Sequence, residues 1–426
     1  MENKIQLKQD GRFYWGWLIV LLNFFLMVIG YVSCVSIASI FVLPVTKALG
    51  CSNSQFTMYV MFVSLITVII SPYIGKKMRT GNMKLIMALG CISGGIGFAL
   101  MSQATSLIFI YIASLFIGFS FCTLTSMPIA ILCNNWFGGK VKGTAMGISY
   151  IGGSLGSITI IPFASNIMMR YGWEMAYLGL GALMVIVLLP MVLLIVRKTP
   201  EEKGFYRMGV KEGESTDYTE TLKGTKFEDA KKMSIFWVAL ISVVLTVFAS
   251  SALLANAVPY FVETGIESSR AASLFSIMLG SMIVGKPILG FFCDKVSVKA
   301  GAILSCFIFA GVFVLLYMMK GGISWLVWGA IISYGFGASS ITVIPALMVN
   351  GLFGEKDYGR LVGYFNSATS LGGAFGGTVA AFVFDITGSY TSFWIVAAIA
   401  LIIAGLMRWG CFSVKDKKYP SSTELD

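Results

Sequence analysis

The sequence contains no histidine, so the chain has no imidazole that could serve as a general base or a metal ligand. Its eight cysteines are scattered without a C-x-x-C pair, which excludes the common thiol-based metal and redox motifs. The glycine-rich stretch "GGSLGS" lacks the Lys-Ser or Lys-Thr pair of a phosphate-binding loop. These absences argue against an enzyme, a metal site and a bound cofactor, and they predict no structural disulfide.

Charged residues are scarce as well, at 12% of the chain against roughly 25% in a soluble domain. In their place stand apolar runs of twenty or more residues without period-two alternation, which predict membrane-spanning helices. Twelve spans are predicted, near residues 15–38, 55–74, 84–103, 106–134, 142–169, 175–197, 235–262, 270–293, 298–319, 322–350, 358–386 and 390–413.

Lysine and arginine concentrate in the loops on one side of these spans. Only Lys47, Arg170, Arg270 and Lys320 fall in loops on the other side, and Arg408 is counted with the C-terminal tail. The positive-inside rule therefore predicts that both termini face the cytoplasm. The net charge of +11 reflects this topology, so the expected surroundings are a lipid bilayer and not a nucleic acid.

Internal repeats divide the chain into two halves. "NNWFGGKVKGTAMG" (134–147) matches "NGLFGEKDYGRLVG" (350–363), and "IGGSLG" (151–156) matches "LGGAFG" (371–376). Parallel repeats of this kind occur in transporters that bind substrate between their halves. We therefore predict a six-helix bundle over 1–197, a cytoplasmic linker over 198–234 and a second six-helix bundle over 235–426.

The stretch "GFFCDKVSVK" resembles the helix 8–9 signature of the major facilitator superfamily, with Gly290, Asp294, Lys295 and Lys299 in register. The helix 2–3 copy, "GKKMRTGNMK", begins at Gly75 and lacks the acidic residue. In the family this motif helps to latch the cytoplasmic side. The resemblance implies an all-α membrane protein with twelve transmembrane helices in two pseudo-symmetric six-helix halves.

Further stretches, "YWGWLIVLLNF", "VPYF" and "GKPILGFFCDK", look most like the oxalate/formate antiporter and monocarboxylate porter branch. In that branch a basic residue before the helix 8 proline contacts the substrate carboxylate, and this residue resembles Lys286. A second lysine of the oxalate transporters is matched by Asn366. Positions of their aromatic cage are matched here by Ser36, Ser126, Gly153, Gly337 and Ile341. The resemblance therefore implies a bulkier monocarboxylate and not oxalate.

The residues point to Lys286 independently of the resemblance. None of the 20 acidic residues lies in the middle of a predicted span, and a charge in the bilayer interior costs at least roughly 2.5 kcal/mol. A cation in a cavity between two halves would suit an anionic ligand. Two alternatives remain open: the ammonium snorkels to the cytoplasmic interface, or it donates to carbonyls that Pro287 leaves unpaired.

Other polar residues within the spans are candidate cavity residues. For each of them a hydrogen bond between helices is the alternative. The candidate substrate-binding residues are Lys286, Asn366, Tyr334, Asn256, Ser126, Tyr31 and Thr125.

The sequence thus predicts a secondary active transporter of an organic monocarboxylate, monomeric and located in the inner (cytoplasmic) membrane. Exporting amphiphilic drugs and a non-transporting sensor role are the alternatives. The coupling is open between anion exchange and symport in which Lys286 itself releases a proton, because the place of the branch's helix 8 aspartate is taken by Met282.

Overall fold

The computed structural model describes residues 13–209, 224–319 and 325–418. Lys4, Lys8, Arg12 and Lys320, used above to predict topology, lie outside these residues. Throughout the described ranges the chain is helical, with two isolated β-bridges and no β-strand. The α-helices are α1 Trp15–Phe25, α2 Ala38–Leu49, α3 Asn53–Thr80, α4 Met83–Ser102, α5 Leu107–Leu124, α6 Ser126–Trp136, α7 Lys142–Ala182, α8 Leu189–Ile195, α9 Phe227–Ala230, α10 Ser234–Glu263, α11 Ser268–Lys295, α12 Val298–Met318, α13 Trp325–Phe353, α14 Tyr358–Thr387 and α15 Thr391–Lys418.

Within the described ranges, eleven helical stretches are long and apolar enough to cross a bilayer. The longest, Gly139–Ile195, has 57 residues, and its length of about 85 Å far exceeds a hydrocarbon core of about 30 Å. Gly172 interrupts it with φ 88° and ψ 165°, a conformation that glycine adopts readily. The interruption lies between the predicted spans 142–169 and 175–197, so the stretch contains two spans. The predicted fold of twelve transmembrane helices is confirmed.

Two predicted spans are less regular than expected. The first was predicted to end near residue 38, but a π-helix over Leu26–Ser36 follows α1 and α2 continues to Leu49. The fourth was predicted as one helix, yet Thr125 separates α5 from α6 with φ −103° and ψ −125°. Irregular backbone at membrane depth is tolerated where it is buried in protein or lines a cavity.

The chain divides into two compact units between Lys223 and Gly224, a position within the predicted linker. The first unit contains α1 to α8, and the second contains α9 to α15. In the second unit, α10 packs along α14 and α12 packs along α13. Its core is strongly aromatic, with Tyr260, Phe313 and Trp394 buried together.

The two described ends of the linker dock on equivalent loops of their own units. Met208 forms a bridge with Phe137 in the first unit, and Gly224 forms one with Gly354 in the second. These loops belong to the repeated segments 134–147 and 350–363. The intervening linker residues, 210–223, lie outside the described residues.

Glycines bring the spans of each repeat into close contact. A Cβ atom at Gly156 of α7 would lie 2.6 Å from the Val28 carbonyl oxygen in the first span. In the second unit, Gly376 of α14, which the repeat matches to Gly156, has the same relation to the Phe248 carbonyl oxygen of α10, at 2.1 Å. Small residues at these positions let the helix backbones touch, which is a common way of packing helices in membranes.

Candidate functional site

Lys286 lies on the protein-facing side of α11. Its side chain is 4% exposed, and the residues one turn away on either side, Met282 and Leu289, are buried too. Val284 and Ile288 on the opposite face are 60% and 50% exposed. Lys286 is nine residues from the end of α11, or about 13 Å along the helix. The Lys286 side chain therefore lies inside the bundle and not on its outer surface.

Beside Lys286, α11 crosses α13 with almost no side chain between them. A Cβ atom at Gly285 would collide with the Gly335 carbonyl group, and one at Gly335 would lie 2.7 Å from the Ser281 carbonyl oxygen. This close approach requires glycine on both helices. It fixes the backbone next to Lys286, so the position of the cation depends on the packing of α11 against α13.

Tyr334 precedes Gly335 at this crossing. It is fully buried, and its ring packs edge-on against Phe309 of α12, with ring centroids 5.9 Å apart. A Cβ atom at Gly337 would also lie 2.8 Å from the Phe309 Cα. The backbone of α12 thus occupies the space beside Gly337, so glycine at this cage position does not leave room for a bulkier substrate.

Asn256 and Asn366 lie on α10 and α14, which pack together. The Asn256 amide donates to the Ala252 carbonyl at 2.9 Å and to the Gly377 carbonyl of α14 at 3.2 Å. Its nitrogen thus makes the interhelical hydrogen bond that the sequence left as an alternative. Asn366 is 7% exposed and faces the interior of its unit.

In the first unit, the structure brings Tyr31, Thr125 and Ser126 into one region. The Tyr31 ring lies 6.2 Å from that of Phe121, and the Thr125 hydroxyl donates to the Phe121 carbonyl at 2.7 Å. Ser126 begins α6, and its carbonyl accepts from the Tyr150 hydroxyl at 3.1 Å. The π-helix of the first span and the break of the fourth therefore adjoin each other.

The π-helix over Leu26–Ser36 follows a wider turn than an α-helix does, and it contains Tyr31. Single π turns inside helices occur often at functional sites. Discontinuous spans also supply the binding sites of many transporters, where the positive end of a half-helix faces an anionic group. The start of α6 is the positive end of such a half-helix, because the break at Thr125 lies directly before it.

The residues of the signature motif lie at the end of the unit where α11 meets α12. Gly290 is buried in α11, and the Lys295 ammonium lies 5.6 Å from the centroid of the Phe291 ring. Lys299 forms an ion pair with Asp416 of α15 at 2.9 Å, with both side chains partly exposed. Such a pair contributes about 0–1 kcal/mol. Asp294 follows Gly290 by one turn of α11, and Gly75 is buried in α3.

Two buried cations were missed by the sequence interpretation. Lys142 is 5% exposed and donates to the Asn134 Oδ1 at 2.7 Å. Arg408 was counted in the C-terminal tail, but it is fully buried in α15, about 15 Å from the end of that helix. The sequence did carry a signal for this burial, because Arg408 lies inside the predicted span 390–413.

Arg408 joins three helices. Its guanidinium donates to the Ala302 carbonyl of α12 at 3.1 Å and to the Thr246 hydroxyl of α10 at 2.8 Å. Its Nε has no hydrogen-bond partner within the described residues. Among the side chains that the structure describes, the buried charged groups are Lys142, Lys286 and Arg408, and no aspartate or glutamate is buried.

No group of three or more His, Cys, Asp or Glu side chains that could hold a metal ion occurs in residues 13–209, 224–319 and 325–418. All eight cysteines belong to these ranges and are free thiols. The buried polar groups of the described residues can offer hydrogen bonds and, at Lys142, Lys286 and Arg408, positive charge.

Twelve spans in two repeated units, with discontinuous helices and buried cations, are typical of membrane transporters. The family model described as Major Facilitator Superfamily matches residues 121–279 and 239–424, and the chain belongs to this superfamily. Its members are transporters and not enzymes, so the prediction that the protein is not an enzyme is confirmed.

Within the superfamily, the chain is similar to monocarboxylate transporters. Monocarboxylate transporter 12 of Mus musculus is 25% identical over 416 residues, which cover 92% of this chain and 84% of the relative. Monocarboxylate transporter 13 of Bos taurus is 24% identical, covering 95% and 92%. Among solved structures, the fucose:proton symporter FucP of E. coli matches with a TM-score of 0.65 at 14% identity, covering 93% and 98%. The predicted resemblance to the monocarboxylate porters is confirmed by these relatives.

Proposed function

We propose that the protein carries an organic monocarboxylate across the cytoplasmic membrane by alternating access, and that Lys286 binds the carboxylate. The observation that carries this proposal is a lysine buried inside a membrane-spanning helix, on its protein-facing side. A charge in the membrane interior is costly and usually belongs to a substrate or ion path. Support also comes from relatives that are monocarboxylate transporters.

Each unit carries its own polar groups. In the first unit, Tyr31 and Ser126 have hydroxyl groups, and the start of α6 is the positive end of a helix dipole. In the second unit Asn366 supplies an amide where a second cation would be needed for a dicarboxylate. Asn256 and Tyr334 support the helices instead, because one hydrogen-bonds across α10 and α14 and the other packs on Phe309.

We further propose that the side rich in lysine and arginine faces the cytoplasm, together with both termini. A monomer is sufficient for this function, because each substrate contact comes from the same chain.

Oxalate should compete poorly with larger monocarboxylates. The second carboxylate of oxalate would meet the neutral amide of Asn366, while Arg408 is held by Thr246 and Ala302. We expect at least about tenfold weaker competition by oxalate in uptake of the best monocarboxylate, because an uncompensated buried charge costs more than 1 kcal/mol. Equal or stronger competition by oxalate would contradict the single-cation site.

We propose that Lys286 also couples transport to protons. No acidic side chain is buried in the described part of the chain, and Met282 occupies the place one turn before the lysine. A lysine that gives up its proton when the site is empty would let the carrier return neutral, so that each anion enters with one proton. Anion exchange, in which the lysine stays charged, is the alternative.

Lys286→Arg separates these mechanisms, because arginine does not release its proton at accessible pH. We expect wild-type uptake into proteoliposomes to rise with an inward proton gradient, and the variant to lose that response while keeping exchange against internal anion. The wild type assayed without a gradient is the control. Strong proton-driven uptake by Lys286→Arg would show that another group carries the proton.

A further inference from the structure

A cationic cleft lies at one end of the first unit, outside the candidate substrate-binding residues. It has a volume of about 370 Å³ and lies between the α3–α4 turn and the segment that follows α8. Its lining consists of Gly81, Asn82, Met83, Lys84, Val196, Arg197, Lys198 and Glu202. The lining residues thus include three basic ones, Lys84, Arg197 and Lys198, and one acidic one, Glu202.

Backbone donors already engage that carboxylate. The Glu202 Oε1 accepts from the Lys198 N–H at 3.0 Å and from the Thr199 N–H at 3.3 Å, capping the short helix Pro200–Lys203. The α3–α4 turn adds no acid, because the signature copy "GKKMRTGNMK" has none. The cleft thus keeps an excess of positive charge, to which the N-terminal end of α4 adds its dipole.

The cations are held in place through their backbone. The Arg197 carbonyl accepts from the Trp136 indole at 2.9 Å, and the Lys198 carbonyl accepts from the Asn135 amide at 2.9 Å. The Lys198 ammonium donates to the Arg79 carbonyl. Partial burial lowers the pKa of Lys198 below its ordinary value, against the opposing effect of Glu202. A positioned, partly desolvated cation gains more from an anion than a fully hydrated one does.

The surface beside the cleft is apolar. Leu85 at the start of α4 is 55% exposed, and Leu194 at the end of α8 is 69% exposed. One candidate membrane span begins with α4, and another ends with α8. The cleft therefore adjoins lipid-facing surface, where a head group can bind while its acyl chains follow α4 and α8.

We propose that this cleft binds the phosphate of an anionic membrane phospholipid. The chemistry is that of a phosphate ester held by Arg197 and Lys198, with Lys84 at the helix end. A free phosphate shares this chemistry but makes no use of the exposed leucines. This inference does not depend on which substrate the transporter carries.

The test measures thermal unfolding of the purified full-length protein in detergent during titration with phosphatidylglycerol, phosphatidylcholine or potassium phosphate. Phosphatidylglycerol should raise the unfolding temperature of the wild type saturably, and phosphatidylcholine should not. In Arg197→Gln/Lys198→Gln the midpoint concentration should rise about tenfold or more. Lys226→Gln/Lys232→Gln, which removes two exposed lysines, should respond like the wild type.

A charge-retaining pair, Arg197→Lys/Lys198→Arg, distinguishes lost charge from a damaged fold, because it should keep the response to phosphatidylglycerol. Native mass spectrometry of the wild type should show phosphatidylglycerol retained in preference to phosphatidylcholine. An unchanged response in the double glutamine variant would overturn the site. Stabilisation by potassium phosphate with none from phosphatidylglycerol would overturn the lipid as its ligand.

Discussion

Lys286→Ala should bind the best monocarboxylate about 30-fold to several-thousandfold more weakly than the wild type. Truncating one partner of a buried charge pair costs about 2–5 kcal/mol, which corresponds to this range in Kd. The variant should still fold, because the neighbouring contact of α11 with α13 is made by Gly285 and Gly335. Isothermal titration of the detergent-purified protein measures the change.

Arg270→Ala is the matched control for this measurement. It removes one cation from the same helix, but Arg270 is exposed near the start of α11. Its Kd should equal that of the wild type. Lys286→Arg should retain part of the affinity, since it keeps the charge with a different geometry. Wild-type affinity in Lys286→Ala, at matched folded yield, would remove Lys286 from the site.

Arg408→Ala should destabilise the protein by about 2–5 kcal/mol, the usual cost of truncating a large buried side chain to alanine. The change removes the hydrogen bonds to Ala302 and Thr246 that join α15 to α12 and α10, and it leaves a void. Arg408→Met fills most of that volume without a charge, so it should be less harmful. Thermal unfolding in detergent, followed by tryptophan fluorescence, provides the comparison.

Exposed Arg270 again supplies the control, because Arg270→Ala should leave the unfolding temperature unchanged. Substrate affinity of the folded fraction of Arg408→Ala should remain near the wild-type value, since Arg408 is held within its own helix packing. An unfolding temperature equal to that of the wild type would contradict a structural role for Arg408. A selective loss of substrate affinity would place it in the substrate path.

The spans could be predicted from sequence because each depends on local composition. Apolar runs of bilayer length define the helices, and Gly172 interrupts the 57-residue stretch within a short segment between two predicted spans. The break at Thr125 and the π-helix over Leu26–Ser36 lack such a signal. Both depend on how the first and fourth spans pack together, so hydropathy alone could not reveal them.

For the candidate site, composition identified the rare charge but not its surroundings. Lys286 stands out because it interrupts an apolar run, and the structure buries it. Arg408 was assigned to the C-terminal tail, although it lies inside the predicted span 390–413. The partners that bury it, Thr246 and Ala302, are more than a hundred residues away. The same separation hid the pairing of Lys299 with Asp416.

The most direct measurement is uptake of a labelled monocarboxylate into proteoliposomes that contain only this protein. Wild type and Arg270→Ala should accumulate substrate saturably, whereas Lys286→Ala should match protein-free liposomes. If the protein were a sensor or an exporter of amphiphiles, neither the wild type nor any variant would take up the carboxylate. Wild-type uptake by Lys286→Ala would contradict the central claim that this buried lysine binds the transported carboxylate.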